Sequence, residues 1–173
     1  MPEITFNTTE GHEIDRDLLI LCLNVGTKLV PEWAPIGCGV EDSSAEYDWQ
    51  RESKKDIIGH THNSMKKPII TQTFDPWPLR NGDKAQKWVW DKAVHDQDAH
   101  ALSNADCLLI HKYAGTKNTA MFAERYEGTA IEMTGLGGEG GGSLGMPITA
   151  TYGGERTVGT ASITEGGEIN FAA

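Results

Sequence analysis

A glycine-rich segment near the carboxyl end contains the spacing closest to a known chemical motif. Residues 135–140, GLGGEG, formally fit GxGxxG, in which backbone amides at the start of a helix bind the pyrophosphate of a dinucleotide. Met146 and Pro147 follow instead of a helix, Glu139 would repel a phosphate, and no Gly-Lys-Ser/Thr sequence completes a P-loop. We interpret residues 135–145 as a flexible joint and expect no cofactor.

Two histidines could contribute to a metal site. His60 and His62 lie on the same side of an extended segment, and Asp56 is close to them in the sequence. Zinc needs three or four ligands, and the spacing of the other histidines supplies no clear further ligand. We expect a solvated histidine pair and no metal.

Catalytic groups show no recognisable arrangement. Ser, His and Asp all occur, but the GxSxG turn of a serine hydrolase does not. Carboxylate pairs such as Glu124 and Glu127 are unremarkable in a chain with 25 acidic residues. We predict that the protein is not an enzyme, although distant residues converging in a cleft would leave no such signature.

The charge balance argues against a nucleic-acid-binding protein. The 173 residues, enough for one domain with its own core, carry a formal net charge of -10. Proteins that grip phosphates use Lys and Arg to neutralise them. An acidic surface instead repels DNA.

The cysteines and the first residues of the chain indicate the compartment in which the protein folds. Cys22, Cys38 and Cys107 are odd in number and far apart, which excludes a disulfide framework or zinc ribbon and favours buried free thiols in a reducing cytosol. The first 17 residues are polar and acidic, unlike a signal peptide. The longest apolar run is too short to span a bilayer.

Most of the chain is typical of strands. The apolar run at residues 18–25 predicts a buried strand, and residues 69–74 predict another. Further strands are expected at residues 33–40, at residues 107–113 and 120–133 around a turn, and in three short segments after the joint. Tyr47 and Trp49 would share one strand face.

A single convincing helix is predicted at residues 84–96. Asp83 can accept hydrogen bonds from its first turn, and Lys87 and Asp91 form an i,i+4 pair. Many strands with one helix and no βα alternation predict a mainly β protein, a β-sandwich or partly closed β-barrel with one flanking helix at about residues 83–96. Trp88 and Trp90 would lie about 200° apart on it, which leaves open whether one meets a neighbouring subunit.

The predicted organisation is an N-terminal arm, residues 1–17, followed by one domain, residues 18–173. A projecting loop is expected at about residues 41–68, in which residues 52–68 form a projecting hairpin or a long loop. It has mixed charge and few apolar anchors, so we expect it to be disordered in a monomer and ordered against a partner.

Four stretches in order carry a family resemblance: residues 33–40 (WAPIGCGV), 47–58, the Gly-Asp-plus-helix segment 82–94, and the end, from GGEGGGSLGMPITATYGG to TVGTAS. Together they resemble the major tail tube protein of long-tailed, siphovirus-type phages of Gram-positive bacteria. The resemblance covers roughly residues 20–173. The order and spacing of the stretches carry it, and residues 1–17 have no counterpart.

The resemblance implies a structural virion protein. Its subunits would form hexameric rings that stack by self-assembly into a hollow tail tube, lined by a continuous β-barrel, for ejection of double-stranded DNA from capsid to host. The DNA would pass without specific binding. Other partners would be the tape measure, tail terminator and baseplate or tail-tip proteins, with no membrane involved. The protein would be assembled in the host bacterial cytoplasm and reside in the virion tail.

Two sets of residues are candidates for this role. The projecting loop would bridge successive rings through the residues Lys54, Lys55, Lys66, Lys67 and Asp56. The lumen wall would carry the acids Glu46, Asp48, Glu124 and Glu132, with the reservation that a one-residue slip in register exchanges the two faces of a strand.

Three alternative functions are also compatible with the sequence. A tube of a contractile phage tail or of a phage-derived bacteriocin would have a similar sequence pattern. A monomeric β-sandwich module that binds carbohydrate or protein would need no polymer, and an enzyme on a β-barrel would need a deep cleft with convergent polar groups.

Overall fold

The computed structural model describes residues 4–173 and is mainly β, as predicted. Its strands are β1 Leu19–Asn24, β2 Trp33–Pro35, β3 Ala45–Asp48, β4 Glu52–Lys55, β5 Thr61–Ser64, β6 Ile69–Phe74, β7 Ala105–Thr116, β8 Ala120–Met133, β9 Ile148–Tyr152, β10 Arg156–Ile163 and β11 Ile169–Ala172. Helix α1, Lys84–Trp90, continues as a π-helical turn, Asp91–His95. A short helix α2, Ala99–Ser103, follows, and a 3-10 turn, Arg16–Leu18, precedes β1.

Strand β8 belongs to two antiparallel sheets. Its first half pairs with β7 and β10, in the strand order β2-β1-β7-β8-β10-β11, which we call the barrel sheet. Its second half pairs with β9, in the order β8-β9-β6-β3, which we call the polar sheet. One long strand therefore fixes the two sheets relative to each other.

The strand passes from one sheet to the other at a glycine contact. A Cβ on Gly128 would lie 2.8 Å from Cα of Gly154, which itself has a φ of +73°. The register of β8 on β7 shifts at the same point, between Ala105 and Cys107. The bend needs two backbones closer together than side chains allow.

Two apolar clusters fill the molecule. The larger lies between the two sheets and α1 and includes Leu23, Leu109, Ile148 and the fully buried Trp77. The smaller lies on the other face of the barrel sheet and is formed by Cys22, Trp33, Leu108, Ile110, Met121, Ala123, Ala161 and Ile169. The outermost strands, β2 and β11, both contribute to the smaller cluster, but they do not pair with each other among residues 4–173, so the barrel sheet is open.

Helix α1 lies where the sequence predicts it. Asp83 accepts a hydrogen bond from N–H of Gln86, and Lys87 pairs with Asp91. Ala85 and Val89 are fully buried, which holds the helix against the larger cluster. The helix α2 was not predicted, although Asp98 caps it by accepting from N–H of Ala101.

The predicted loop at residues 41–68 is structured over much of its length. Its first part forms β3, which pairs with β6. The part that leaves the sheet is a β4–β5 hairpin with a register from Glu52–Ser64 to Lys55–Thr61. The projecting element is therefore residues 49–68 and is a hairpin.

Three other expectations need adjustment. The strand predicted at residues 33–40 ends at Pro35. Cys38 is exposed, so only Cys22 and Cys107 are buried thiols. In the predicted arm, Asn7 N–H donates to the carbonyl of Tyr113 at 2.9 Å, so this part lies along β7; residues 1–3 are outside the described residues.

Candidate assembly surfaces

The outward face of the polar sheet carries three of the four acids proposed for a lumen wall. The register places Glu46 opposite Thr71 and Asp48 opposite Ile69, while Glu132 lies opposite Thr149. Paired residues share a face in a sheet, and all three acids are exposed. The remaining side chains of this face are Thr71, Thr73, Thr149, Thr151, Ala130 and Ile69. The strands thus contribute three carboxylates, four threonines, Ala130 and Ile69 to this face, and no Lys or Arg.

The polar sheet has two strand edges that its own chain does not extend. Within residues 4–173, β3 pairs only with β6, and residues 130–133 of β8 pair only with β9. Backbone N–H and C=O groups along such edges pair readily with another strand. The sheet is therefore suited to continuation by neighbouring copies.

The β4–β5 hairpin is exposed along both strands. Its tip carries Ile57 and Ile58, which are 104% and 72% exposed. Asp56 shapes the tip, because one carboxylate oxygen accepts from N–H of Ile58 at 3.0 Å and of His60 at 2.8 Å. The other lies 2.9 Å from Nε2 of His62, and this hydrogen bond lowers the pKa of Asp56. Two large apolar side chains are thus held in solvent by an ordered turn.

The predicted histidine pair is part of this turn. Nδ1 of His60 lies 3.7 Å from Asp56, farther than His62. Among residues 4–173, no group of three or more His, Cys, Asp or Glu side chains is arranged to hold a metal ion.

The hairpin is basic while the rest of the chain is acidic. Residues 49–68 contain five Lys or Arg and two Asp or Glu, a net charge of +3, so the remainder carries -13. The basic residues are Arg51, Lys54, Lys55, Lys66 and Lys67. None forms an ion pair with another of the described residues.

The fourth proposed lumen acid, Glu124, lies elsewhere. It is 6% exposed and faces the interior between the two sheets. Its carboxylate lies 2.9 Å from Nε2 of His111 and accepts from Nε of Arg156 at 2.6 Å and from the hydroxyl of Tyr126 at 3.2 Å. Glu124 is therefore a structural carboxylate and does not suit a lumen wall.

The electrostatics of this network follow from its partners. Burial raises the pKa of Glu124, but the hydrogen bonds from His111 and Arg156 outweigh it and leave the pKa below its ordinary value. Burial next to this carboxylate raises the pKa of Tyr126 to about 12. Both groups keep a fixed ionisation state at neutral pH, which suits a structural role.

A second polar network lies on the other face of the barrel sheet. Arg125 donates two hydrogen bonds to Asp106, at 2.9 and 2.7 Å, and Asn24 donates to the same carboxylate at 2.9 Å. The Arg125 guanidinium lies 5.6 Å from the ring centre of Trp33. This network ties β1, β2, β7 and β8 together.

The two buried cysteines, Cys22 and Cys107, are poor nucleophiles. Burial raises the pKa of Cys107 to about 12 and also raises that of Cys22, so neither supplies a thiolate nucleophile at neutral pH. Trp88 and Trp90 are both half-buried and line an open cleft of about 540 Å³ beside α1. None of the described helices has the length and apolar character to cross a membrane.

Neither polar network was predicted from the sequence. Glu124 and Asp106 look like ordinary strand acids in a chain with 25 of them. The only available signal was their position inside apolar strand segments, where an acid must find a partner.

Comparison with known proteins identifies the fold. No family model and no curated protein matches the sequence. Among solved structures, the chain is similar to the sheath/tube terminator of an extracellular contractile injection system, PVC, with a TM-score of 0.55 and 10% identity over 87% of this chain and 99% of that one. It is also similar to a chain of the PVC sheath–tube complex, with a TM-score of 0.53 and 10% identity over 86% and 93%. The chain thus has the fold of tube-associated structural components of a contractile injection system.

Proposed function

We propose that this protein is a phage tail tube protein, whose subunits assemble side by side into hexameric rings that stack into a hollow tube for double-stranded DNA. The observation that carries the proposal is the polar sheet, a four-stranded antiparallel sheet with two unextended edges and an outward face of carboxylates and threonines. The fold shared with tube-associated proteins supports it.

Closure of subunits into a ring would pair the two open edges of the polar sheet. β3 of one subunit would lie beside residues 130–133 of β8 in the next, and six subunits would close the ring. The resulting barrel would have roughly 24 strands, which at a spacing of ~4.8 Å and a tilt of ~40° make a backbone cylinder roughly 50 Å across. Inward side chains would still leave room for a DNA duplex.

The composition of the outward face suits a lumen. Glu46, Asp48 and Glu132 would line the wall and repel phosphates at every ring, so that DNA slides without being held. The threonine hydroxyls would hydrogen-bond water along the wall. We omit Glu124 from this wall because it is buried and ion-paired.

The hairpin would connect successive rings. Lys54, Lys55, Lys66 and Lys67 lack ion-pair partners among the described residues and project with Asp56 from a subunit that is otherwise acidic. Rings with unlike top and bottom faces stack head to tail as an open polymer. Terminator, tape-measure and tail-tip proteins would bound that polymer, and the protein would act in the virion tail after assembly in the host cytoplasm.

Electron microscopy of the purified protein at high concentration tests the proposal, with sedimentation as the second readout. We expect six-fold rings or tubes, either spontaneously or after addition of tail tips as nuclei. A protein that stays monomeric both alone and with tail tips would contradict it.

A terminator is the second candidate, since one similar structure is itself a sheath/tube terminator. A terminator would form rings that cap tubes and would not elongate them. A tube within a contractile tail or a phage-derived bacteriocin would elongate and would also bind sheath subunits. A monomeric β-sandwich binding module would form neither rings nor tubes.

A further inference from the structure

The outermost strands of the barrel sheet, β2 and β11, line a common groove. The groove has a volume of about 880 Å³ and is formed by three segments: residues 30–35, which include β2, the loop at residues 80–84, and residues 166–169, which lead into β11. Trp33 of β2 and Ile169 of β11 also belong to the same apolar cluster. The two outer edges of the open sheet therefore lie close to each other across this groove.

Backbone groups of β11 face away from its neighbour β10. Thr164 donates its N–H to the carbonyl of Glu168 at 2.9 Å, and hydrogen bonds in an antiparallel pair join every second residue. Ile169 and Phe171 therefore occupy the positions whose N–H and C=O groups point away from β10. Among residues 4–173, β11 pairs with no other strand, so these groups are available to an added strand.

The edge of β2 has the same arrangement. Ile36 donates its N–H to the carbonyl of Leu21 at 2.8 Å. Val25 donates to the carbonyl of Glu32, also at 2.8 Å. By the same alternation, the backbone N–H and C=O of Trp33 point away from β1. Within the described part of the chain, β2 pairs only with β1, so backbone groups are available on both sides of the groove.

Trp33 also holds a buried donor without an acceptor. The residue is 7% exposed and lines the groove. Its indole Nε1–H has no hydrogen-bond partner among residues 4–173. A buried N–H that stays unpaired costs free energy, so a carbonyl supplied by an added chain would be favoured here. This observation is independent of the two strand edges and also favours an added peptide.

The walls of the groove carry a free charge of each sign. Arg80 and Glu168 are both exposed and line it. Neither forms an ion pair with another of the described residues. Glu32 and Lys84, which also line the groove, are already paired with each other. An occupant that carries one acid and one base would therefore complement both free charges.

We propose that this groove binds an extended segment of a different protein, which adds to β11 as an antiparallel strand and covers Trp33. The segment has apolar side chains at alternate positions, because alternate residues of a strand share a face and those nearest Ile169 and Phe171 meet the smaller cluster. It also carries an acid that faces Arg80 and a base that faces Glu168. The proposed ring closure uses the edges of the polar sheet and leaves this groove open, so the inference goes beyond the proposed function and does not depend on it.

Selection of peptides on the full-length protein tests this site. The probe is a display library of random peptides about eight residues long, within the usual length of a strand. We expect enrichment of peptides with apolar side chains at alternate positions. Cys38 is exposed and lines the groove, while Cys22 and Cys107 are buried, so the alkylation rate of Cys38 reports on the groove. Enriched peptides should slow this alkylation in proportion to their occupancy.

Two substitutions at Phe171 separate strand addition from apolar contact. Phe171→Pro removes an N–H that faces away from β10 and keeps the hydrogen bonds to β10, whereas Phe171→Ala removes the ring and keeps the N–H. We expect Phe171→Pro to weaken peptide binding about tenfold more than Phe171→Ala does, because it also loses a backbone hydrogen bond. Arg80→Glu/Glu168→Lys, at two exposed positions, should weaken binding of the same peptides at low ionic strength and tests the site without changing a strand. Thermal unfolding checks that each variant folds.

A library that yields no peptide protecting Cys38 would overturn the proposal. So would equal peptide binding by folded Phe171→Pro and Phe171→Ala, or unchanged binding by Arg80→Glu/Glu168→Lys. Protection of Cys38 without peptide, if it rises with protein concentration and is lost in Phe171→Pro, would assign the groove to a second copy and would also overturn it. The peptide measurements use unassembled subunits, so failure to form rings or tubes would contradict the proposed function alone.

Discussion

Arg156 of β10 donates a hydrogen bond from Nε to the carboxylate of Glu124 on β8 at 2.6 Å. His111 of β7 lies 2.9 Å from the other oxygen of the same carboxylate. One buried acid therefore joins three adjacent strands at the centre of the barrel sheet.

Replacing this acid should destabilise the fold. Removing one member of a buried ion pair costs about 3–5 kcal/mol, and we expect about 2 kcal/mol for Glu124→Gln because the Arg156 side chain is half exposed and can rehydrate. Urea unfolding measures the change. Glu155→Gln, at an exposed acid, is the control. Equal stability of the two variants would contradict the structural role of Glu124.

The same carboxylate predicts a pH dependence. Its pKa in the folded protein lies below the ordinary value of 4.5, so its contribution is present above pH 4.5 and is lost as the pH falls through the folded-state pKa. Unfolding free energies measured between pH 7 and about 3 should fall more steeply in the unmodified protein than in Glu124→Gln. Parallel curves would show that this group does not titrate differently on folding.

The glycine contact between the sheets predicts a position that tolerates no side chain. Gly128→Ala would place a methyl group 2.8 Å from Cα of Gly154, and we expect a loss of roughly 1–3 kcal/mol from overpacking. Gly140→Ala, where no atom lies within 4 Å, should leave thermal stability nearly unchanged. Similar melting of both variants would mean that the strand can bend without this close approach.

The local sequence pattern predicted individual strands and helices far better than it predicted which of them pair or pack together. The strand at residues 69–74 and helix α1 with its Asp83 cap follow from alternation and capping, which are properties of adjacent residues. The sharing of β8 between two sheets depends on Gly128 meeting Gly154, and two glycines distant in sequence carry no visible sign of contact.

The candidate surfaces show the same division. Alternation placed Glu46 and Asp48 on one strand face, and the register confirms that they share it with Glu132. The burial of Glu124 depends on His111 and Arg156 from other strands, so its own sequence neighbourhood could not reveal it. The sequence left a hairpin and a long loop as alternatives for residues 52–68, because β4 and β5 have few apolar residues and are held by backbone pairing and Asp56.

The proposed lumen wall predicts an effect on DNA passage. Asp48→Lys/Glu132→Lys adds two cations per subunit to the polar face, and their attraction for phosphates would repeat at every ring. We expect normal tube assembly but slower DNA ejection, most strongly at low salt. Glu10→Lys/Glu155→Lys is a control of equal charge away from this face. Ejection at the normal rate in low salt would refute the role of the wall acids.

We expect the hairpin to be needed for tube elongation but not for folding of the subunit. Deleting residues 53–64 removes a two-stranded unit that lies outside the main sheet, so the subunit should keep its unfolding free energy within about 1 kcal/mol. Tube elongation should be lost, as measured by pelleting. A deletion variant that elongates like the unmodified protein would refute an inter-ring role.

A cryo-electron microscopy map of the assembled protein is the most direct test of the central claim, that the polar sheet closes into the wall of a tube. We expect six subunits around an axis, with β3 of each beside β8 of the next and with Glu46, Asp48 and Glu132 facing the lumen. A lumen formed by the barrel sheet, or a wall with net positive charge, would contradict it.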